Sequence, residues 1–104
     1  MHTIKKEIVH ITTDNHKFHN REDAKEWQSV LDMRELTIKN CGDGKLNIKD
    51  GYVPMPINNR NELYVVLDYL HYYIGFEGIY KDYSDLKYPT VIEYDINHKK
   101  MKIK

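Results

Sequence analysis

The stretch from Asn59 to Gly75, NRNELYVVLDYLHYYIG, constrains this chain more than any other. Leu63, Val66, Leu67, Leu70, Tyr73 and Ile74 recur at i, i+3, i+4, i+7, i+10 and i+11, the face of a helix of period 3.6. Asn59 is placed to cap it with Glu62 three residues on, and Gly75 to stop it. A stripe this wide must be buried, and 104 residues supply material for one core, so residues 1–104 read as a single domain.

The other elements follow from local chemistry. Ile8, His10 and Thr12 alternate with Val9, Ile11 and Thr13, a β-branched pattern that predicts a strand over 5–13. Asp14 and Asn15 tolerate left-handed backbone, so a tight turn is expected before Phe18, which can fold back toward the sheet. Asn20 as N-cap, Glu22 and Asp23 in the first turn, and Ala24, Trp27, Val30 and Leu31 at helical spacing predict a helix over 21–33. RELTIKNCGDGKLNIKDG reads as a hairpin, with Leu36 and Ile38 on one arm, Leu46 and Ile48 on the other, and CGDG as the turn. A continuation of the first helix through Ile38 is the competing reading. It would set Met33 and Leu36 opposite Leu31 and Ile38, so the hairpin is the expectation. The prolines of GYVPMPINN enforce an extended segment suited to a sheet edge.

At the end of the chain, a two-residue turn at Asn97 and His98 opposes Ile96 to Lys99, Tyr94 to Met101 and Ile92 to Ile103 on an apolar face. On the outward face it pairs Asp95 with Lys100 and Glu93 with Lys102. The whole reads as an α+β domain, two helices packed on an antiparallel or mixed sheet with a C-terminal hairpin.

Charge narrows the function classes. Sixteen basic and sixteen acidic residues cancel, so no global field draws the protein to nucleic acid or an anionic membrane. The lysines at the end are met by acids within one hairpin, which removes the main support for nucleic-acid binding. No segment is apolar enough to span a membrane or to form a signal core. Cys41, the only cysteine, permits no internal disulfide and suits a reducing, cytoplasmic setting.

Catalytic and cofactor signals are weak. His16 and His19 share an H-x-x-H spacing but lie in a turn, where that spacing does not force convergence, so neither is assigned a metal. GDGK lacks the glycine spacing and following helix of a phosphate cradle. No nucleophile and base can be paired, Cys41 lacks a neighbourhood that would activate it, and the expectation is a protein without catalysis, cofactor or metal.

Tyrosine is what stands out. Seven of nine lie between Tyr64 and Tyr88. Tyr73 fits the core stripe of the second helix, Tyr69 and Tyr72 its other side, and Tyr80, Tyr83 and Tyr88 a loop. Tyrosine contributes large contact area with a polar tip and is enriched at interfaces. Tyr69, Tyr72, Tyr80, Tyr83 and Tyr88 are therefore the candidate partner-binding residues. Covering the sheet is the alternative use of the same rings.

VHITTDNHKFHNREDAKEWQSVLD, the N-terminal quarter of the chain, resembles small accessory proteins of phages and mobile elements of low-GC Gram-positive bacteria. Those proteins share a strand ending in Thr, a turn, a Phe and an acidic helix. Asn15 and His16 stand where such proteins often carry glycine, and the likeness ends at Asp32. The resemblance implies a cytoplasmic protein of an infected bacterial host, in a class that includes anti-CRISPR and other counter-defence inhibitors. The expected function is binding and blocking a host or defence protein. Capture of a nucleotide or small ligand, or nucleic-acid binding, is the competing class, and homodimerisation is left open.

Overall fold

The computed structural model describes residues 9–42 and 53–103. Thr12 and Asp14 begin the first turn. The Asn15 amide donates to the Thr12 carbonyl, and Asn15 adopts the expected left-handed conformation at φ 64°. This turn folds β1 (His10–Ile11) onto β2 (Lys17–Phe18) as a short antiparallel hairpin separate from the main sheet. Within the described residues the predicted first strand is limited to His10–Ile11; positions 5–8 of that prediction lie outside them.

The first helix corrects the sequence reading. Asn20 caps it as expected, its side chain accepting from the Glu22 amide at 2.8 Å. The helix α1 then runs Arg21–Cys41, through the segment expected to be the first arm of a hairpin. The second arm of that hairpin lies outside the described residues. Three features favour the helix. Val30, Met33, Leu36 and Thr37 continue one buried face, while Ile38 is left 57% exposed, a cost small enough for a surface to bear. Thr37 spends its hydroxyl on the Met33 carbonyl at 2.7 Å, which offsets its β-branched preference. Asn40 reaches out of the last turn to the Pro56 carbonyl at 2.9 Å and to Glu62 at 2.7 Å. Gly42, at φ 83°, ends the helix with its amide on the Ile38 carbonyl.

The main sheet is antiparallel in the order β3 (Val53–Ile57), β4 (Thr90–Asp95), β5 (Lys100–Ile103), with proline-bearing β3 at one edge as expected. Tyr94 opposes Met101, Ile92 opposes Ile103, Glu93 opposes Lys102 and Asp95 opposes Lys100, the expected register. The turn is longer than expected. Ile96–Lys99 lie outside the ladder, and Asp95 organises them by accepting from the Asn97 amide at 3.0 Å, the His98 amide at 3.2 Å and His98 Nδ1 at 2.7 Å. Glu93 and Asp95 are buried rather than outward in solvent, because β4 is the middle strand and Glu93 lies in register between Pro54 and Lys102. Lys102 Nζ stands 3.5 Å from the Glu93 carboxylate.

The second helix begins at Asn59 as predicted. It runs as α2 (Arg60–Asp68) and then widens into a π-helical turn, Tyr69–Ile74, closed by Gly75. Gly75 sits at φ 92°, its amide on the Leu70 carbonyl, an i→i+5 bond. Leu63, Val66, Leu67 and Leu70 are fully buried against Met33 and Leu36 of α1, Met55 and Ile57 of β3, and Ile92 and Tyr94 of β4. Gly75→Ala is expected to destabilise the protein by about 1 kcal/mol, measured by urea denaturation, through backbone conformation and not crowding. The nearest atom to an added Cβ is Lys99 Nζ at 3.5 Å, an ordinary contact.

Candidate functional site

The π-helical turn redistributes the tyrosines. The stripe extended from Leu63 takes in Tyr73 and leaves Tyr69 at its flank; the structure buries Tyr69 and exposes Tyr73. Tyr69 is 5% exposed and Tyr73 51% exposed, their rings stacked at 5.5 Å. Two causes act together. The helix is enclosed by α1 as well as by the sheet, so Tyr69, close to Arg34 of α1 and Tyr94 of β4, is covered along with the stripe. The wider π turn also advances each residue by less than an α-helix does, so the stripe drifts off the core by Tyr73. Tyr69 is thereby removed from the candidate contact residues, and burial pushes its hydroxyl pKa up.

The remaining four candidates form two groups. Tyr72 and Tyr80 meet through His71, whose ring stands edge-on to both at 4.8 and 5.2 Å. His71 Nδ1 lies 3.0 Å from the Phe76 carbonyl, which only accepts, so this nitrogen carries the proton. Tyr80 is 44% exposed and donates to Asp68 at 2.6 Å; burial of the hydroxyl and that carboxylate together push its pKa up. Lys25 of α1 donates to the Tyr72 hydroxyl at 3.3 Å and stands 5.2 Å from its ring centre. Tyr83 and Tyr88, by contrast, are half-buried and pack against the core. Tyr83 donates to the Ile79 carbonyl at 2.5 Å, so its polar tip is committed within the chain.

Two shallow concavities flank the contact between α1 and the π-helical turn. One, about 250 Å³, is lined by Lys25, Gln28, Ser29, Asp32, Asp68 and Tyr72. The other, about 230 Å³, is lined by Phe18, Asp23, Glu26, Trp27, Val30 and Tyr73. Sequence reasoning missed the second one. Its signal was present in part: Asp23, Glu26, Trp27 and Val30 fall at i, i+3, i+4 and i+7 on one flank of α1, and Phe18 was expected to fold back. Only the π turn brings Tyr73 to them.

The rings on this side are held in place. The Trp27 indole donates to Asp14 at 2.8 Å, and His16 stacks on Phe18 at 5.4 Å and lies 5.9 Å from Trp27. The Thr12 hydroxyl, then the Trp27 indole, hold the Asp14 carboxyl down at about 2. Gln28 ties the β1–β2 turn to α1, accepting from the Thr13 amide at 2.9 Å and donating to Asp32 at 2.8 Å. His16 is thus placed against aromatic rings and Asp14, and among the described residues no group of three or more His, Cys, Asp or Glu side chains could hold a metal ion. No described helix is long and apolar enough to cross a membrane.

The sequence and structure together define an α+β domain that presents aromatic rings on either side of one helix. No protein-family model matches the chain, and no curated protein or solved structure matches it.

Proposed function

We propose that this chain is a non-catalytic binding protein that occludes a surface of a host or bacterial defence protein. Its contact face is formed by α1 and the π-helical turn. The observation that carries the reading is the exposure of Tyr73, on the π-helical turn, and Tyr80, in the loop that Phe76 and Ile79 anchor to the core. Rings pre-positioned by packing lose little freedom on binding, which is what makes aromatic anchors effective at interfaces. Both flanking concavities are smaller than the roughly 300–1,000 Å³ typical of small-molecule sites, which favours a protein partner at this face. The N-terminal resemblance to counter-defence proteins is what directs the proposal to host defence.

The test is affinity capture from a low-GC Gram-positive cell extract with the wild-type chain and a Tyr73→Ala/Tyr80→Ala variant. The wild type is expected to retain a host protein in near-equimolar amount, and the variant to lose about nine-tenths of it at nearly unchanged stability, within about 1 kcal/mol. Equal retention by both, or none by the wild type, would sink the proposal.

A further inference from the structure

The aromatic concavity carries a charge signature of its own. Phe18, Trp27 and Tyr73 supply ring faces and edges, while Asp23 and Glu26 supply two carboxylates; no lysine or arginine lines it. Both carboxylates are on exposed residues, and no described cation forms an ion pair with either. The concavity on the opposite flank of α1 differs in this respect, because Lys25 already occupies the face of Tyr72 there. The aromatic one is a place where ring quadrupoles and acids point to the same kind of ligand; His16 lies against Phe18 and Trp27 outside the lining, and no described lysine or arginine fills it.

We propose that this notch, walled by Phe18, Trp27, Val30 and Tyr73 and rimmed by Asp23 and Glu26, seats an arginine side chain of the partner protein. The proposal rests on the protein-binding reading and adds to it the chemistry of the partner. Arginine fits better than lysine. A guanidinium is planar, weakly hydrated and able to stack on one ring while its edge donates to a carboxylate, whereas an ammonium must give up a tighter hydration shell. At about 230 Å³ the notch has the scale of a side chain rather than of a cofactor. The indole is held by Asp14 and the Tyr73 ring by Tyr69, so the walls need not be ordered on binding.

Trp27 is the only tryptophan of the chain, so its emission reports occupancy of the notch directly. The experiment titrates the full chain with the capped peptide acetyl-Gly-Arg-Gly-amide and with its citrulline counterpart, which keeps the shape and removes the charge. A saturable change in emission is expected with the arginine peptide, about tenfold weaker with citrulline and about tenfold weaker in an Asp23→Asn/Glu26→Gln variant. Thermal melting of that variant, both positions being exposed, should fall by no more than a few degrees, the share that Asp23's charge contributes in the first turn of α1. Equal response to the two peptides, no saturable response to either, or an unchanged response in the carboxylate variant would each overturn the arginine seat. So would a concentration-dependent dimer abolished by the carboxylate variant without arginine preference, which would assign the notch to a second copy of the chain. The protein-binding reading is judged separately, by capture with the tyrosine variant, whose carboxylates are intact.

Discussion

Replacing Glu62 with alanine is expected to lower the unfolding free energy by about 1–3 kcal/mol, a substantial share of what holds a domain of this size together. Glu62 is only 5% exposed and serves three elements at once. One carboxylate oxygen accepts from Asn40 at 2.7 Å and from the Asn58 amide at 3.1 Å; the other accepts from Asn59 at 3.1 Å and from Lys39 at 3.3 Å. Its own amide donates back to Asn59 at 2.9 Å, completing the box that starts α2. Alanine would leave the half-buried Asn40 amide and the Asn58 backbone amide without this acceptor where α1 meets the segment joining β3 to α2, and donors that lose a partner there cost stability. Urea denaturation measures the loss; a change within about 1 kcal/mol would show that water replaces the carboxylate at little cost.

Glu62→Gln separates charge from shape and predicts a pH dependence. Burial pulls the Glu62 carboxyl pKa upward, but the hydrogen bonds from Asn40, Asn58 and Lys39 outweigh it and hold the pKa below its ordinary value of 4.5. A carboxyl with a lowered folded-state pKa stabilises the fold fully above its unfolded pKa and loses that contribution as pH falls through the folded one. The wild type should therefore exceed Glu62→Gln in stability at neutral pH and converge toward it as pH drops below 4.5. Asp95, held low chiefly by His98, acts with the same sign in both proteins and cancels from the comparison.

The Asn59–Glu62 relation was legible in the sequence because capping is local chemistry: a side chain satisfies donors two or three residues away. The β4–β5 register was legible for a similar reason, since apolar and charged positions agree in only one alignment of Ile92, Glu93 and Tyr94 with Met101, Lys102 and Ile103. What the sequence did not disclose depends on contacts distant along the chain. Leu36 and Ile38 alternate like strand residues, and the reach of Asn40 to Pro56 and Glu62 is one of the reasons the helix continues past them. That the Glu62 carboxylate also takes donors from Lys39 and Asn40 of α1 was equally hidden. The site was less legible than the fold. Periodicity assumes one pitch throughout a helix, and YLHYYI carries no local sign that the pitch changes at Tyr69, so the stripe was extended one turn too far.

That error makes the tyrosines the sharpest test of the structure. Tyr69→Ala should behave as a core truncation, destabilising by about 3–5 kcal/mol alongside Leu67→Ala, whose side chain is completely buried. Each kcal/mol corresponds to about 4–8 °C in melting temperature for a domain near this size, so both variants should melt well over 10 °C early. Tyr73→Ala and Tyr80→Ala, at 51% and 44% exposure, should each stay within about 1 kcal/mol of the wild type. A regular α-helix from Asn59 to Gly75 would leave Tyr69 in place, since the pitch changes only from that residue on, and would keep Tyr73, four residues later, over the same buried face. If Tyr73→Ala melts as early as Tyr69→Ala, the helix keeps its α pitch to Gly75, the aromatic notch loses its Tyr73 wall, and the contact face must be sought elsewhere on α1. If Tyr69 is the costly one, the ring beneath Tyr73 is structural. Stacked on it, Tyr73 is held outward by the fold itself, the condition an aromatic anchor needs before any partner arrives.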